Sequence, residues 1–203
     1  MPSSEEIQQY LTGAWRMMLG KADGLRMLDI SADGFWNSFF AMAIALPALI
    51  VGWVGVANEF GAISGEVGGR PSIVLRLAVV DFAAWVAPLA ALAAAAPRAG
   101  IADRFVHLVV SSNWASALIV WLMLPAPLLR MFFPAASDAA SLLSLALFAV
   151  SMVLTWRVTN VAIGKGAAVA SAVFAGMFLV SLSALLTLQA LLGLNLPDQI
   201  PAG

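Results

Sequence analysis

The sequence predicts an all-α polytopic membrane helix bundle of about five transmembrane helices, preceded by an interfacial amphipathic helix. Three observations carry this. Of 203 residues, 62% are hydrophobic and only 10% are charged, against roughly 45–50% and about 25% in soluble domains. The apolar residues fall in unbroken runs, and about 18 or more such residues suffice for a helix to cross a bilayer. The N-terminal stretch differs, because its apolar residues recur at helical spacing among polar ones. Lipid leaves only helices or closed barrels as spanning structures. The runs do not alternate with period two as barrel strands do, so helices are expected.

Residues 1–34 form the first unit, a cytoplasmic tail. Ser3 with Glu6 makes a capping box that starts a helix at about Ser4. At 100° per residue, Ile7, Leu11, Ala14, Trp15 and Met18 fall within a sector of about 100°. Glu5, Gln9, Thr12 and Arg16 lie opposite, while Gly20 and Lys21 suit a C-terminal stop. The pattern predicts a helix in the headgroup plane. Ile7, Leu11, Trp15 and Met18 would meet the acyl boundary, and Arg16 and Lys21 the anionic headgroups. The alternative is that the same face packs on the bundle or on a partner protein. The tail is too polar to offer a cleavable signal, so the first span is expected to direct insertion.

Residues 35–194 divide into five spans, at about Phe35–Ala57, Pro71–Ala96, Phe105–Phe132, Asp138–Trp156 and Ala167–Leu194. The fourth has the composition to run on through Val161. Their connectors, "NEFGAISGEVGGR", "PRAG", "PAASD" and "RVTNVAIGKG", carry turn-forming residues. Residues 195–203 are expected as a short exterior tail. Arg16, Lys21, Arg26, Arg98, Arg104, Arg157 and Lys165 fall on one side of the bundle; Arg70, Arg76 and Arg130 fall on the other. The positive-inside rule then sets the N-terminus in the cytoplasm and, after five crossings, the C-terminus outside. The alanine-rich composition points to a bacterial inner membrane. Prolines interrupt the first three spans in "ALPALI", "VAPLAAL" and "LPAPLL", each freeing a carbonyl one turn earlier. Small residues at Ala83, Ala87, Ala91 and Ala95, and at Ala168, Ala172 and Gly176, allow close helix approach.

One residue stands out. Asp81 sits about 15 Å deep in the second span, near the middle of a core about 30 Å thick. A charge there costs at least ~2.5–3.5 kcal/mol, so it should face protein or water, or be protonated. Arg76, the nearest base, lies about 140° away round the helix, whereas facing pairs sit three or four residues apart. In the third span, Asn113 and Ser116 lie about 12 and 16 Å from the opposite side, level with Asp81. Pro88 frees the Ala84 carbonyl on the Asp81 face. Asp81, Asn113, Ser116 and that carbonyl, with Arg76 nearby, are the candidate intramembrane polar site. Intramembrane ionisable groups mark function by default, and the competing reading is a hydrogen bond joining the second and third helices.

Other chemistry is excluded by composition. Net charge is −1, with neither a basic patch nor an acidic tail, so no nucleic acid partner is expected. There is no cysteine and one histidine, His107, so thiol chemistry and His-rich metal sites are excluded. "GEVGGR" lacks the Lys-Ser/Thr of a phosphate loop. Neither catalysis nor a cofactor is expected.

The tail "IQQYLTGAWRMMLGKADGLRMLDIS", entering the first span at "GFWNSFF", together with five closely spaced helices and an exterior C-terminus, resembles the Yip family of small membrane proteins. The resemblance implies architecture: a cytoplasmic tail ahead of a five-helix bundle. The family's eukaryotic members are linked to small GTPases and membrane traffic, and it implies no site residue here. The expected role is therefore non-catalytic: organising or assisting membrane partners, as a homo-oligomer or an accessory subunit in the lipid bilayer. The alternative is a small ion- or proton-coupled transporter built around Asp81.

Overall fold

The computed structural model describes residues 1–63 and 69–194. The expected exterior tail, residues 195–203, and the loop carrying Glu66 lie outside the described residues. Among the described residues, eight α-helices follow one another: α1 Ser4–Met18, α2 Ala32–Ser38, α3 Ala41–Ile63, α4 Arg70–Ala95, α5 Phe105–Met123, α6 Pro125–Phe132, α7 Ser137–Ile163 and α8 Ala167–Leu191. Among the described residues there is no strand. Five segments are long and apolar enough to cross a membrane: Ala32–Glu59, Arg70–Ala95, Ala102–Phe132, Pro134–Ile163 and Ala167–Leu191. The chain is a multi-pass membrane helix bundle with an additional N-terminal helix.

Two of the expected spans are broken, each for a local reason. The first divides after α2, where the Ser38 hydroxyl donates to the Phe35 carbonyl at 2.7 Å and the amides of Phe39 and Phe40 bond three residues back. Such back-bonding competes with the regular ladder and bends helices. The third divides at Leu124, because Pro125 brings no amide to the ladder. In the other direction, the fourth span runs past both Trp156 and Val161 to Ile163. It ends at Gly164 (φ +61°), a left-handed position that glycine takes without strain. The connector expected over ten residues therefore shrinks to Gly164–Gly166.

The N-terminal helix starts as its capping box dictates. The Glu6 amide donates to Ser3 Oγ (3.2 Å) and the Ser3 amide to Glu6 Oε2 (2.7 Å). It stops at Gly20 (φ +80°), whose amide reaches the Met17 carbonyl. The chain then folds back in a 3-10 turn, Ala22–Met27, laid flat on α1. Gly13 and Gly24 meet at that contact: a Cβ on Gly13 would stand 2.8 Å from the Gly24 carbonyl oxygen, and one on Gly24 would press on the Gly13 carbonyl. The Arg16 guanidinium donates across the same contact to Asp23, with Nε at 3.2 Å.

This hairpin is built into the bundle. Tyr10, Ala14, Met17 and Met18 are buried in one core with Leu108, Trp114, Val158 and Ile163 of α5 and α7. The Tyr10 and Trp114 rings lie 5.2 Å apart. The expectation that Met18 meets lipid is thus corrected; it is 1% exposed. Ile7 and Leu11 are half-buried against the same core, while Trp15 stays exposed beside Leu19. Arg16 is engaged with Asp23, and Lys21 is exposed. The inward face, centred on Tyr10, Gly13, Ala14, Met17 and Met18, is rotated by about 75° from the sector that the apolar pattern marks, at 100° per residue. Pattern separates apolar from polar, and the bundle takes the side rich in small and flexible residues because it packs closest.

A smaller cluster of Trp53, Ala57, Ile73, Leu77, Val80 and Leu194 closes the opposite end of the bundle. There Arg130 pairs with Glu59 at 3.5 Å, linking α6 to α3. At the α1 end, Lys165 reaches both the Gly100 carbonyl and Asp103 at 2.6 Å, tying the two short connectors together. Helices α7 and α8 form an outer wall in which few residues are fully buried. Their outward Leu142, Leu145, Phe148, Leu179 and Leu186 are exposed, as acyl chains require.

Candidate functional site

Asp81 lies eleven residues into α4, and its carboxylate accepts the indole N–H of Trp53 on α3 at 2.6 Å. Four residues further along, on the same face of α4, Trp85 donates its indole N–H to Asn113 Oδ1 on α5 at 3.0 Å. Asn113 in turn donates through Nδ2 to the Ser38 hydroxyl at 2.9 Å. Each tryptophan reaches a polar side chain on the next helix, 28 residues later. The need is physical: an indole N–H in a low-dielectric interior costs free energy unless it finds an acceptor. Trp121 and Trp156 repeat the device, donating to the Ile44 carbonyl of α3 (2.9 Å) and to Ser171 of α8 (3.0 Å).

The expected site is therefore assembled in part and corrected in part. Asp81, Asn113 and Ser116 do line one cavity, of about 380 Å³, between α4, α5, α7 and α8. Asp81 bonds Trp53, however, and Asn113 bonds Trp85 and Ser38, so the expected Asp81 bond to Asn113 or Ser116 does not form. The reason is rotation about the helix axis. Depth places all three at one level, whereas only packing decides which way each side chain turns. Arg76 belongs elsewhere, as its Nη1 donates to the Leu192 carbonyl at 3.1 Å, where α8 ends. The carbonyl freed by Pro88 is satisfied from α8: the Ser181 hydroxyl donates to Ala84 O at 3.0 Å. Sequence reading missed Trp53, Trp85, Ser38 and Ser181. The signal available for the first two was the tryptophan spacing ahead of each deep polar residue.

The cavity wall is mostly apolar and aromatic, with Leu49, Trp85, Ile119, Phe174, Met177 and Phe178. Ser112, Thr155, Thr159 and Ser181 add hydroxyl groups. Asp81 is the one ionisable side chain in it among the described residues. No group of three His, Cys, Asp or Glu side chains that could hold a metal ion occurs among the described residues. His107, in the first turn of α5, is half-buried with its Nδ1 bonded to nothing described, and it does not line this cavity. The small-residue stripes of α4 and α8 come together at a second, shallower groove, where Ala91 and Ala95 face Ala172 and Gly176.

The architecture and site define a five-span helical membrane protein in which, among the described residues, Asp81 is the one carboxylate lining an apolar cavity. No family model matches the chain, and neither a curated protein nor a solved structure matches it.

Proposed function

We propose that this protein is a non-catalytic inner-membrane protein that organises or assists membrane partners, as a homo-oligomer or as an accessory subunit. The supporting observation is the docked N-terminal hairpin. Its buried Tyr10, Ala14, Met17 and Met18 make α1 a fixed platform on the bundle, with polar Glu5, Gln8 and Thr12 exposed outward. A helix held this way presents a rigid polar face, which suits recognition of a partner better than reversible attachment to lipid. The basic residues of the tail, of the connector before α5 and of the connector before α8 share that end, which by the positive-inside rule supports a cytoplasmic placement. Photo-crosslinkers at Gln8 and at Leu145, in protein purified with native lipid, test the reading. It expects discrete protein adducts at one or both positions. Lipid adducts alone at both positions, from a monomer, would overturn it.

A second reading is a small proton- or ion-coupled transporter, favoured by Asp81 lining a cavity while Asn113 is engaged elsewhere. A pH-driven flux in proteoliposomes that Asp81→Asn abolishes, with the fold intact, supports it. An unchanged flux ends the coupling role of Asp81.

A further inference from the structure

The Asp81 cavity has a chemistry that selects its occupant. Its volume of about 380 Å³ lies in the range of small-molecule sites, roughly 300–1,000 Å³. A lone carboxylate is its one ionisable group among the described residues, and the nearest base, Arg76, is committed to the Leu192 carbonyl. Trp53 supplies a single N–H to Oδ2, whereas an ionised carboxylate has about four acceptor positions. Capacity for further donors therefore remains beside a space large enough to bring them.

An anionic ligand is opposed by Asp81 and finds no cation in the wall. A sugar-like molecule would leave most of its hydroxyls facing Leu49, Ile119, Phe174 and Met177. A bare metal ion needs several oxygen ligands held at about 2.0–2.6 Å, and the wall offers one carboxylate and scattered hydroxyl groups. What remains is a cation that brings its own apolar surface. The aromatic faces suit it as well: Phe174 and Phe178 stack with centroids 6.4 Å apart, and Trp85 stands in the same wall. Aromatic faces attract cations most strongly where water is excluded.

We propose that this cavity binds lipophilic organic cations, quaternary or protonated amines and their phosphonium analogues, with Asp81 as counterion and Trp85, Phe174 and Phe178 as walls. The site rests on the same Asp81 cavity as the transporter reading, but binding does not require transport. The counterion role follows from electrostatics, since a pair in a low-dielectric interior attracts far more strongly than the same pair in water.

Tetraphenylphosphonium and tetraphenylborate, alike in shape and opposite in charge, test this with the full chain in nanodiscs, corrected against empty nanodiscs. The expected result is saturable one-to-one binding of the cation and none of the anion. Asp81→Asn should weaken cation binding at least tenfold, and Ser116→Phe, which fills the cavity, should abolish it while Asp81 remains. Equal binding of both ions, no saturable cation binding, or full affinity in Asp81→Asn would each overturn the proposal. If Asp81→Asn fails to fold, the two ions on the wild-type chain still decide. Cation binding without flux would end the transporter reading and leave the site standing; a proton flux without cation binding would do the reverse.

Discussion

Asn113 and Asp81 sit on neighbouring helices at similar depth, yet their surroundings differ in kind. Asn113 is 0% exposed, with its oxygen taken by Trp85 and its nitrogen by Ser38. Three helices, α2, α4 and α5, are joined through that one amide. Asp81 is half-buried, accepts an indole bond from α3, and lines a cavity. A polar group closed by partners on both sides contributes to structure, since each unmet bond would cost about 1–3 kcal/mol. A polar group with spare acceptor capacity beside a void is available to something else. The same contrast separates the α1 end of the bundle, sealed by the docked hairpin and a large core, from its middle, where a cavity lies between α4, α5, α7 and α8.

Four measurements sharpen or break that contrast. The largest effect is expected where the sealed end has no slack. Gly24→Val would drive a side chain into the Gly13 carbonyl and into Met17, at about 1–3 kcal/mol or more for overpacking against backbone. Detachment of α1 should follow, seen as faster proteolysis within residues 1–31 and as a change in the fluorescence of Trp114, which Tyr10 covers. A variant that melts like the wild type would show that the hairpin is not held by this contact.

Asn113→Leu comes next. It removes two interhelical bonds and leaves the Trp85 N–H and the Ser38 hydroxyl without their partner, so a loss of about 1–2 kcal/mol is expected on the scale of interhelical bonds in model peptides. Unfolding in detergent or by steric trapping reads it. Asp81→Asn should be milder, because the amide oxygen still accepts from Trp53; a change below the ~0.6 kcal/mol that one such bond averages in a membrane is expected. If Asp81→Asn destabilises as much as Asn113→Leu, the distinction between a closed and an open polar group fails.

The smallest effect lies at the Arg16–Asp23 pair. Its hydrogen bond from Arg16 holds the Asp23 carboxyl below the usual carboxylate range. A carboxyl lowered by folding contributes above its unfolded value, near 3.9, and loses that contribution as pH falls through its lower folded value. Amide exchange in the turn Ala22–Met27 should therefore be steady from about pH 8 to 5 and loosen only below about pH 4. Both groups are exposed, so salt should blunt the effect. Loosening at neutral pH would mean that the ion pair is not what holds the turn.

Much of this molecule was legible in its sequence, and what was legible shares one property: it depends on position along the chain. Five crossings follow from apolar run length, because each helix satisfies its own backbone wherever its neighbours stand. The Ser3–Glu6 box and the Gly20 stop involve groups a few residues apart, so local geometry settles them. The depth of Asp81, Asn113 and Ser116 follows from a fixed rise per residue. What tertiary structure alone decided is rotation about each helix axis. Helices α4, α5, α7 and α8 are apolar all round, so no polar face marks which side turns inward, and the partners of Asp81 and Asn113 could not be assigned. Even α1, which does have a polar face, turns inward about 75° from its apolar sector. Its apolar pattern records only contact with water, whereas Tyr10, Met17 and Met18 were placed by the shape of the neighbours they meet.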